Sequence, residues 1–212
     1  MRARVSLAAC LAALAFAAAA HDGEDHGSAA EALKHLSEAP VSGDATPFPA
    51  KLGGSFELTD QTGARRSEAD PDGRLQLVFF GYANCQAICS VALPRMAEIA
   101  SIAAEAGLEV RPVLITVDPE RDTPKAMAAP LAVLHPDMVG LTGTEAELEH
   151  VRDLFQVERK LVFEDPELGP IYAHGSFIYL MDPEGGLLTL MPPIVAPDRG
   201  AEIVAKYAAA GG

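Results

Sequence analysis

The chain has 212 residues, about half of them apolar, and its 16 basic and 30 acidic side chains give a formal net charge of −14. This length is sufficient for one domain with a sizeable core and an N-terminal extension. The acidic excess, without any basic patch, excludes nucleic acid as a partner and disfavours attraction to anionic lipid surfaces.

The N-terminus has the pattern of an export signal. Arg2 and Arg4 precede an uncharged stretch over residues 5–20, whose last three residues, Ala18-Ala19-Ala20, suit cleavage before His21. The alternative is an uncleaved membrane anchor, but sixteen residues are short for a span that needs about 20. A lipid anchor at Cys10 is disfavoured because few apolar residues precede that cysteine.

The composition divides the chain into three segments. We expect a signal peptide or uncleaved anchor over residues 1–20, a flexible acidic and histidine-containing linker over 21–50, and a folded domain over 51–209. An exported chain of this kind is expected in the periplasm, either soluble or tethered to the inner membrane.

The folded part alternates strand and helix patterns. In chain order the sequence predicts a strand at 55–59, a turn at 71–73, a buried strand at 75–80, a helix at 90–106 capped by Gly107, a strand at 109–117, a helix from Thr123 to 134, a strand at 138–141, a helix at 144–155 with a Thr144/Glu147 capping box, a strand at 160–163, an acidic loop at 164–170, strands at 177–181 and 187–191, and a helix at 198–209. This order predicts an α/β domain with a mixed central sheet, flanking helices and a C-terminal β-hairpin.

Two cysteines follow the buried strand, where the chain passes into a helix. Cys85 and Cys89 are separated by three residues, which places them on one face if the segment is helical. A helix N-terminus favours the thiolate, and two thiolates can hold one soft metal ion or form a redox-active disulfide. The spacing fits a thioredoxin-type catalyst less well than a metal site. The alternative is two buried cysteines that act as small apolar residues.

Three separated blocks of the sequence form a recognisable pattern. They are Gly81-Tyr82-Ala83-Asn84-Cys85-Gln86-Ala87-Ile88-Cys89, the segment from Val117 to Pro124, and His174-Gly175-Ser176 with Tyr179 to Gly185. In these blocks the sequence resembles the Sco/SenC family of copper-delivery proteins. The resemblance implies a thioredoxin-like fold and one copper ion held by Cys85, Cys89 and His174. Two thiolates and an imidazole independently suit Cu(I). The chain departs from the family pattern at Gln86 and Ser90, where the family usually has proline, and in the glycine after His174.

The resemblance also implies a function without turnover of a small substrate. The protein would be a metallochaperone for Cu(I), and for Cu(II) as a second state, that assists assembly of the dinuclear copper site of a respiratory oxidase. Its partners would be the copper-accepting oxidase subunit, and another copper chaperone or a thiol reductase. The alternatives are a thiol–disulfide oxidoreductase or redox sensor that uses Cys85 and Cys89, and, less well supported, a thiol peroxidase.

Three charged residues lie in the second block, between a predicted strand and the next helix. Asp118, Arg121 and Asp122 are interpreted either as ordinary loop charges beside a helix cap, or as groups that support the ligands or dock a partner.

Overall fold

The structure, a computed structural model, describes residues 52–83, 89–175 and 177–210. The predicted signal segment, the linker, Cys85 and Ser176 lie outside the described residues. The elements in chain order are β1 (Glu57–Asp60), β2 (Arg65–Ser67), β3 (Leu75–Gly81), α1 (Cys89–Glu105), β4 (Val110–Thr116), α2 (Pro124–Leu134), β5 (Val139–Thr142), α3 (Glu145–Phe155), β6 (Arg159–Asp165), β7 (Gly169–His174), β8 (Ile178–Met181), β9 (Leu187–Met191) and α4 (Pro197–Ala210).

Seven of these strands form one mixed sheet in the order β2-β1-β5-β4-β3-β8-β9. The strands β3, β4 and β5 run parallel, whereas β8 runs antiparallel to β3. The register pairs Gly81 with Thr116, so β3 and β4 end side by side. Because β8 is antiparallel, its beginning lies at this same edge, with Ile178 opposite Phe79. The carboxyl ends of parallel strands are the usual location of sites in such sheets.

The central strands are buried on both faces, which explains their nearly continuous apolar sequences. Small residues allow helices to approach closely at two places. A Cβ atom on Gly140 would lie 2.4 Å from Cδ1 of Leu131 in α2, and one on Gly200 of α4 would lie 2.4 Å from Cδ1 of Ile99 in α1. The mixed sheet, flanking helices and β8–β9 hairpin confirm the predicted fold class.

Local signals fixed the helix starts correctly. The Thr123 side chain accepts a hydrogen bond from the amide of Ala126, with Pro124 at the first helical position. Thr144 and Glu147 form the predicted capping box at the start of α3. Both caps depend on residues three positions apart, so sequence alone could identify them.

The predicted acidic loop at 164–170 is wrong in its extent. The segment is a two-stranded hairpin, β6–β7, in which Glu164 pairs with Pro170 and Asp165 with Gly169, so only a short turn remains irregular. Asp165 stabilises this turn by accepting hydrogen bonds from the amides of Glu167 and Leu168, both at 2.9 Å. The hairpin pairs with no strand of the main sheet and ends at His174.

Among the described residues, no helix combines the length and the hydrophobicity that crossing a bilayer requires.

Candidate metal centre

Cys89 is the first residue of α1, and its side chain is buried at the carboxyl end of β3. The sulfur lies against Gly81, where an added Cβ atom would come within 2.8 Å of Cys89 Sγ. Gly81 is therefore required for the close approach of the strand to the sulfur. The helix start places partial positive charge at Cys89, which favours the thiolate form.

His174 meets this sulfur from the other side of the site. Its Nε2 atom lies 3.5 Å from Cys89 Sγ, although the two residues are 85 positions apart in the chain. Its Nδ1 atom lies 2.8 Å from the carbonyl oxygen of Gly175, which can only accept a hydrogen bond. Nδ1 therefore donates, and in the neutral ring the lone pair resides on Nε2, which faces the sulfur.

Aromatic rings hold the imidazole in this orientation. Phe79 and Tyr82 each make an edge contact with His174 at a centroid distance of 6.0 Å. Tyr82 also makes an edge contact with Tyr172 of the hairpin at 6.1 Å. The buried Tyr82 ring thereby connects the end of β3 with the strand that carries His174.

The sulfur and nitrogen are spaced as two ligands of one ion. Metal–sulfur and metal–nitrogen bonds of about 2.3 and 2.0 Å, the lengths found in zinc sites, place the two donors about 3.5 to 3.7 Å apart at bond angles near 110 to 120°. The observed separation is 3.5 Å. A soft sulfur with an imidazole nitrogen is a donor set that Cu(I) prefers over hard cations.

The structure brings Cys89 and His174 together and does not describe Cys85. Within residues 52–83, 89–175 and 177–210, no three histidine, cysteine or acidic side chains converge as a complete metal-binding group. The described residues therefore include two of the three predicted ligands, Cys89 and His174, and the third, Cys85, belongs to residues 84–88 of the sequence.

Asp118, Arg121 and Asp122, the three charged residues of the second sequence block, lie next to this site. Asp118 and Asp122 are buried, and Arg121 is half-buried between them and the β6–β7 hairpin. Burial raises the pKa of the Asp122 carboxyl, and the hydrogen bonds from Ala83 and Thr116 offset this only in part. Sequence reasoning singled out these three residues but missed Thr116 and Tyr172. Gly81 and Tyr82 entered only as members of the first resemblance block, with no contact predicted for either.

The domain is thioredoxin-like, with a cysteine at the start of a helix and a histidine nitrogen beside the cysteine sulfur. These features place the protein among thioredoxin-like proteins that pair a thiol with an imidazole. The chain belongs to the SCO1/SenC family, whose model matches residues 44–209, and this confirms the resemblance deduced from the three sequence blocks.

Relatives and solved structures agree with this assignment. The chain is 39% identical over 155 residues to the SCO2-like protein RC0895 of Rickettsia conorii, which covers 71% of this chain and 75% of the relative. It superimposes on copper-bound ScoI of Arabidopsis thaliana with a TM-score of 0.69 and 28% identity, over 74% of this chain and 98% of the other. Copper-bound ScoI of Bradyrhizobium japonicum gives a TM-score of 0.65 and 32% identity, over 74% and 99% of the two chains.

Proposed function

We propose that this protein is a copper metallochaperone that holds one copper ion between Cys85, Cys89 and His174 and delivers it to the dinuclear copper site of a respiratory cytochrome oxidase. The observation that carries the proposal is the 3.5 Å separation of Cys89 Sγ and His174 Nε2 across 85 residues of chain. Membership of the SCO1/SenC family and the copper bound in two similar structures support copper as the cargo.

The site has features suited to giving copper away. A set of two thiolates and one imidazole leaves the ion with low coordination, so an incoming ligand can bind before a resident one leaves. Among the described residues, exposed apolar side chains flank the ligand-bearing segments, including Val91 after Cys89, Phe177 after His174, and Phe163 on the hairpin. Such side chains offer contact area to the copper-accepting oxidase subunit or to another copper chaperone.

The proposal also includes the predicted export signal and linker, which lie outside the described residues. Residues 1–20 direct export, residues 21–50 connect the signal to the domain over 51–209, and the protein acts in the periplasm, soluble or tethered to the inner membrane. Mass spectrometry of the protein isolated from its host membrane and soluble fractions tests this, because cleavage after Ala20 gives a chain that begins at His21.

Copper titration with ligand variants tests the metal site. The reduced protein is titrated anaerobically with Cu(I) in the presence of a competing chelator, and bound copper is measured for the wild type, Cys85→Ser, Cys89→Ser and His174→Ala. We expect one equivalent for the wild type, loss of tight binding for either serine variant, and weaker binding for His174→Ala. His150→Ala is the matched control, because His150 is an exposed histidine of α3 whose ring pairs with the carbonyl of Ser55, whereas the ring of His174 faces Cys89. Unchanged Cu(I) affinity in His174→Ala would contradict the ligand assignment.

A thiol–disulfide oxidoreductase or redox sensor is the second candidate, since Cys89 lies at a helix start where thiolates are stabilised. The two functions differ in their dependence on His174, because disulfide exchange does not require an imidazole. Exchange with a small disulfide is measured for wild type and His174→Ala alongside copper release. A metallochaperone should lose copper when Cys85 and Cys89 are oxidised and recover it with reductant, since a disulfide offers no thiolate ligand. Full copper loading of a verified disulfide form would overturn the metal assignment.

A further inference from the structure

A turn at residues 118–122 lies between β4 and α2 and contacts both segments that bring ligands to the site. It is closed by a hydrogen bond from the amide of Asp122 to the carbonyl of Asp118, at 2.9 Å. Both acidic side chains are about 1% exposed. Burying a carboxylate costs free energy unless hydrogen bonds compensate for it. The partners of these two side chains therefore show which segments the turn holds in place.

Asp122 holds the segment that leads to the cysteines. Its Oδ2 atom accepts a hydrogen bond from the amide of Ala83 at 2.9 Å and another from the hydroxyl of Thr116 at 2.7 Å. Thr116 is itself anchored at the end of β4, where its Oγ1 accepts a hydrogen bond from the amide of Asp118 at 2.9 Å. The backbone is thereby fixed two residues before Cys85.

Arg121 holds the hairpin that carries the histidine. Its guanidinium donates to the carboxylate of Asp118 and to the carbonyls of Leu168 and Pro170, the latter at 2.7 Å. These carbonyls lie at the turn and at the beginning of β7, the strand that ends at His174. The rigid fork of arginine can join three acceptors in fixed directions, which a lysine ammonium cannot reproduce.

The two contacts meet at Tyr82. Arg121 stacks over the Tyr82 ring at 5.3 Å, and the same ring makes the edge contact with His174. Tyr82 is also the residue directly before Ala83, whose amide donates a hydrogen bond to the carboxylate of Asp122. One turn of five residues therefore contacts the cysteine-bearing segment, the histidine-bearing hairpin and the ring between them.

We propose that the turn at 118–122 is a positioning element that sets the separation of the cysteine and histidine donors before the metal arrives, with Asp122 acting through the segment leading to Cys85 and Arg121 acting through His174. This inference rests on the proposed function for its copper readout. Its structural part concerns the metal-free protein alone. Fixing the donors in advance removes ordering costs from binding, so loss of either contact should lower affinity without removing a ligand.

The experiment compares Arg121→Gln with a matched control in metal-free and Cu(I)-loaded protein. The control is Arg65→Gln, since Arg65 likewise bridges a carbonyl of β1 and a carboxylate of α3, at 3.1 and 2.9 Å, but lies in the outermost strand β2, separated from β4 by β1 and β5. We expect Arg121→Gln to accelerate amide hydrogen exchange over residues 168–174 in the metal-free protein and to weaken Cu(I) binding by about 10- to 100-fold. Arg65→Gln should change neither quantity.

A double-variant cycle separates positioning from general destabilisation. Because Arg121 acts through His174, Arg121→Gln should weaken Cu(I) binding no further once His174 is alanine. Because Asp122 acts on the cysteine side, Asp122→Ala should weaken binding in both backgrounds. Asp122→Asn, which keeps an acceptor oxygen, should recover most of the affinity and remains informative if the alanine variant does not fold.

The outcomes distinguish failure of this inference from failure of the proposed function. Equal loss of affinity for Arg121→Gln with and without His174 would overturn the positioning role, as would unchanged exchange over residues 168–174. A wild-type protein that bound no copper would refute the metallochaperone assignment. The exchange comparison between Arg121→Gln and Arg65→Gln would still decide whether the turn holds the hairpin.

Discussion

At the scale of single residues, the site depends on the absence of a side chain at Gly81. An added Cβ atom there would lie 2.8 Å from Cys89 Sγ and 2.9 Å from Cε1 of Phe79, closer than van der Waals contact allows. The sulfur and the ring that contacts His174 would both have to move. A methyl group at this position therefore alters the donor geometry as well as the packing.

We predict that Gly81→Ala lowers the free energy of unfolding by about 1–3 kcal/mol and weakens Cu(I) binding. Gly140→Ala is the matched control, because its Cβ atom would clash with Leu131 and Met127 in a different part of the sheet. Chemical denaturation and Cu(I) competition titration check both variants. Gly140→Ala should lose stability while the folded protein keeps its copper affinity, and a Gly81→Ala protein with wild-type affinity would contradict the prediction.

Individual site residues differ in how far the sequence alone can identify them. Cys89 was identifiable because its residue type and its place before a helix are both local features. The contact between Cys89 and His174 could be proposed only through the resemblance, since no periodicity relates residues 85 positions apart. The role of Tyr82 was hidden because an aromatic residue after a buried strand is equally expected in any core.

At the scale of elements, sequence patterns succeeded where structure follows from neighbouring residues. The buried strands and capped helices have strong local signals. The strand β2, Arg65–Ser67, was missed because Arg-Arg-Ser has no apolar alternation, and its pairing with β1 determines its structure. The strand predicted at 160–163 corresponds to β6, but its partner β7 was missed because the acids and prolines at 164–170 are typical of loops, whereas Arg121 and the Asp165 turn stabilise the hairpin.

The hairpin gives a prediction about copper binding. Because β6 and β7 pair with no strand of the main sheet, side-chain contacts, including those of His174 itself, hold the hairpin to the rest of the described domain. We expect Cu(I) to slow amide hydrogen exchange over residues 164–175, since a metal bond to His174 adds a further attachment. Exchange measured by mass spectrometry on metal-free and loaded protein checks this, with helix α3 as the internal reference.

Equal exchange across the hairpin in both forms would show that His174 is already fully fixed in the metal-free protein. A change in α3 of the same size as that in the hairpin would instead indicate stabilisation of the whole domain. The prediction requires a difference confined to the hairpin and its neighbours.

At the scale of the whole molecule, buried and hydrogen-bonded carboxyls make stability depend on pH. Burial alone would raise the pKa of Asp70, but hydrogen bonds from Arg111 and from the amides of Asp72 and Arg74 outweigh it and lower the pKa below 3.8. Burial acts likewise on Asp60, and hydrogen bonds from Thr62, Arg66 and Ala64 lower its pKa. Stability from these groups is present above about pH 3.8 and is lost as the pH falls through their lowered values.

We predict that the urea midpoint of unfolding falls as the pH is lowered below about 3.8, and that Asp70→Asn flattens this dependence. The raised pKa of Asp122 has the opposite sign, because its contribution is greatest when the carboxyl is protonated. Asp153→Asn, which removes an exposed carboxylate of α3 and leaves the contact between Asp70 and Arg111 intact, is the matched control. An Asp70→Asn protein with the wild-type pH profile would show that the Arg111 contact does not contribute to acid sensitivity.

The antiparallel pairing of β8 with β3, in which Tyr179 lies opposite Val78, has a consequence for when the protein can be loaded. Joining segments so far apart closes a long loop, whose entropy must be lost before the contact is gained, and topologies rich in such contacts fold slowly. A newly synthesised chain therefore presents its cysteines before its histidine can reach them. Copper that meets the chain early would find thiols alone, and the proposed set of cysteine and histidine donors exists only after the distant strand has been inserted. Loading is thereby linked to completed folding.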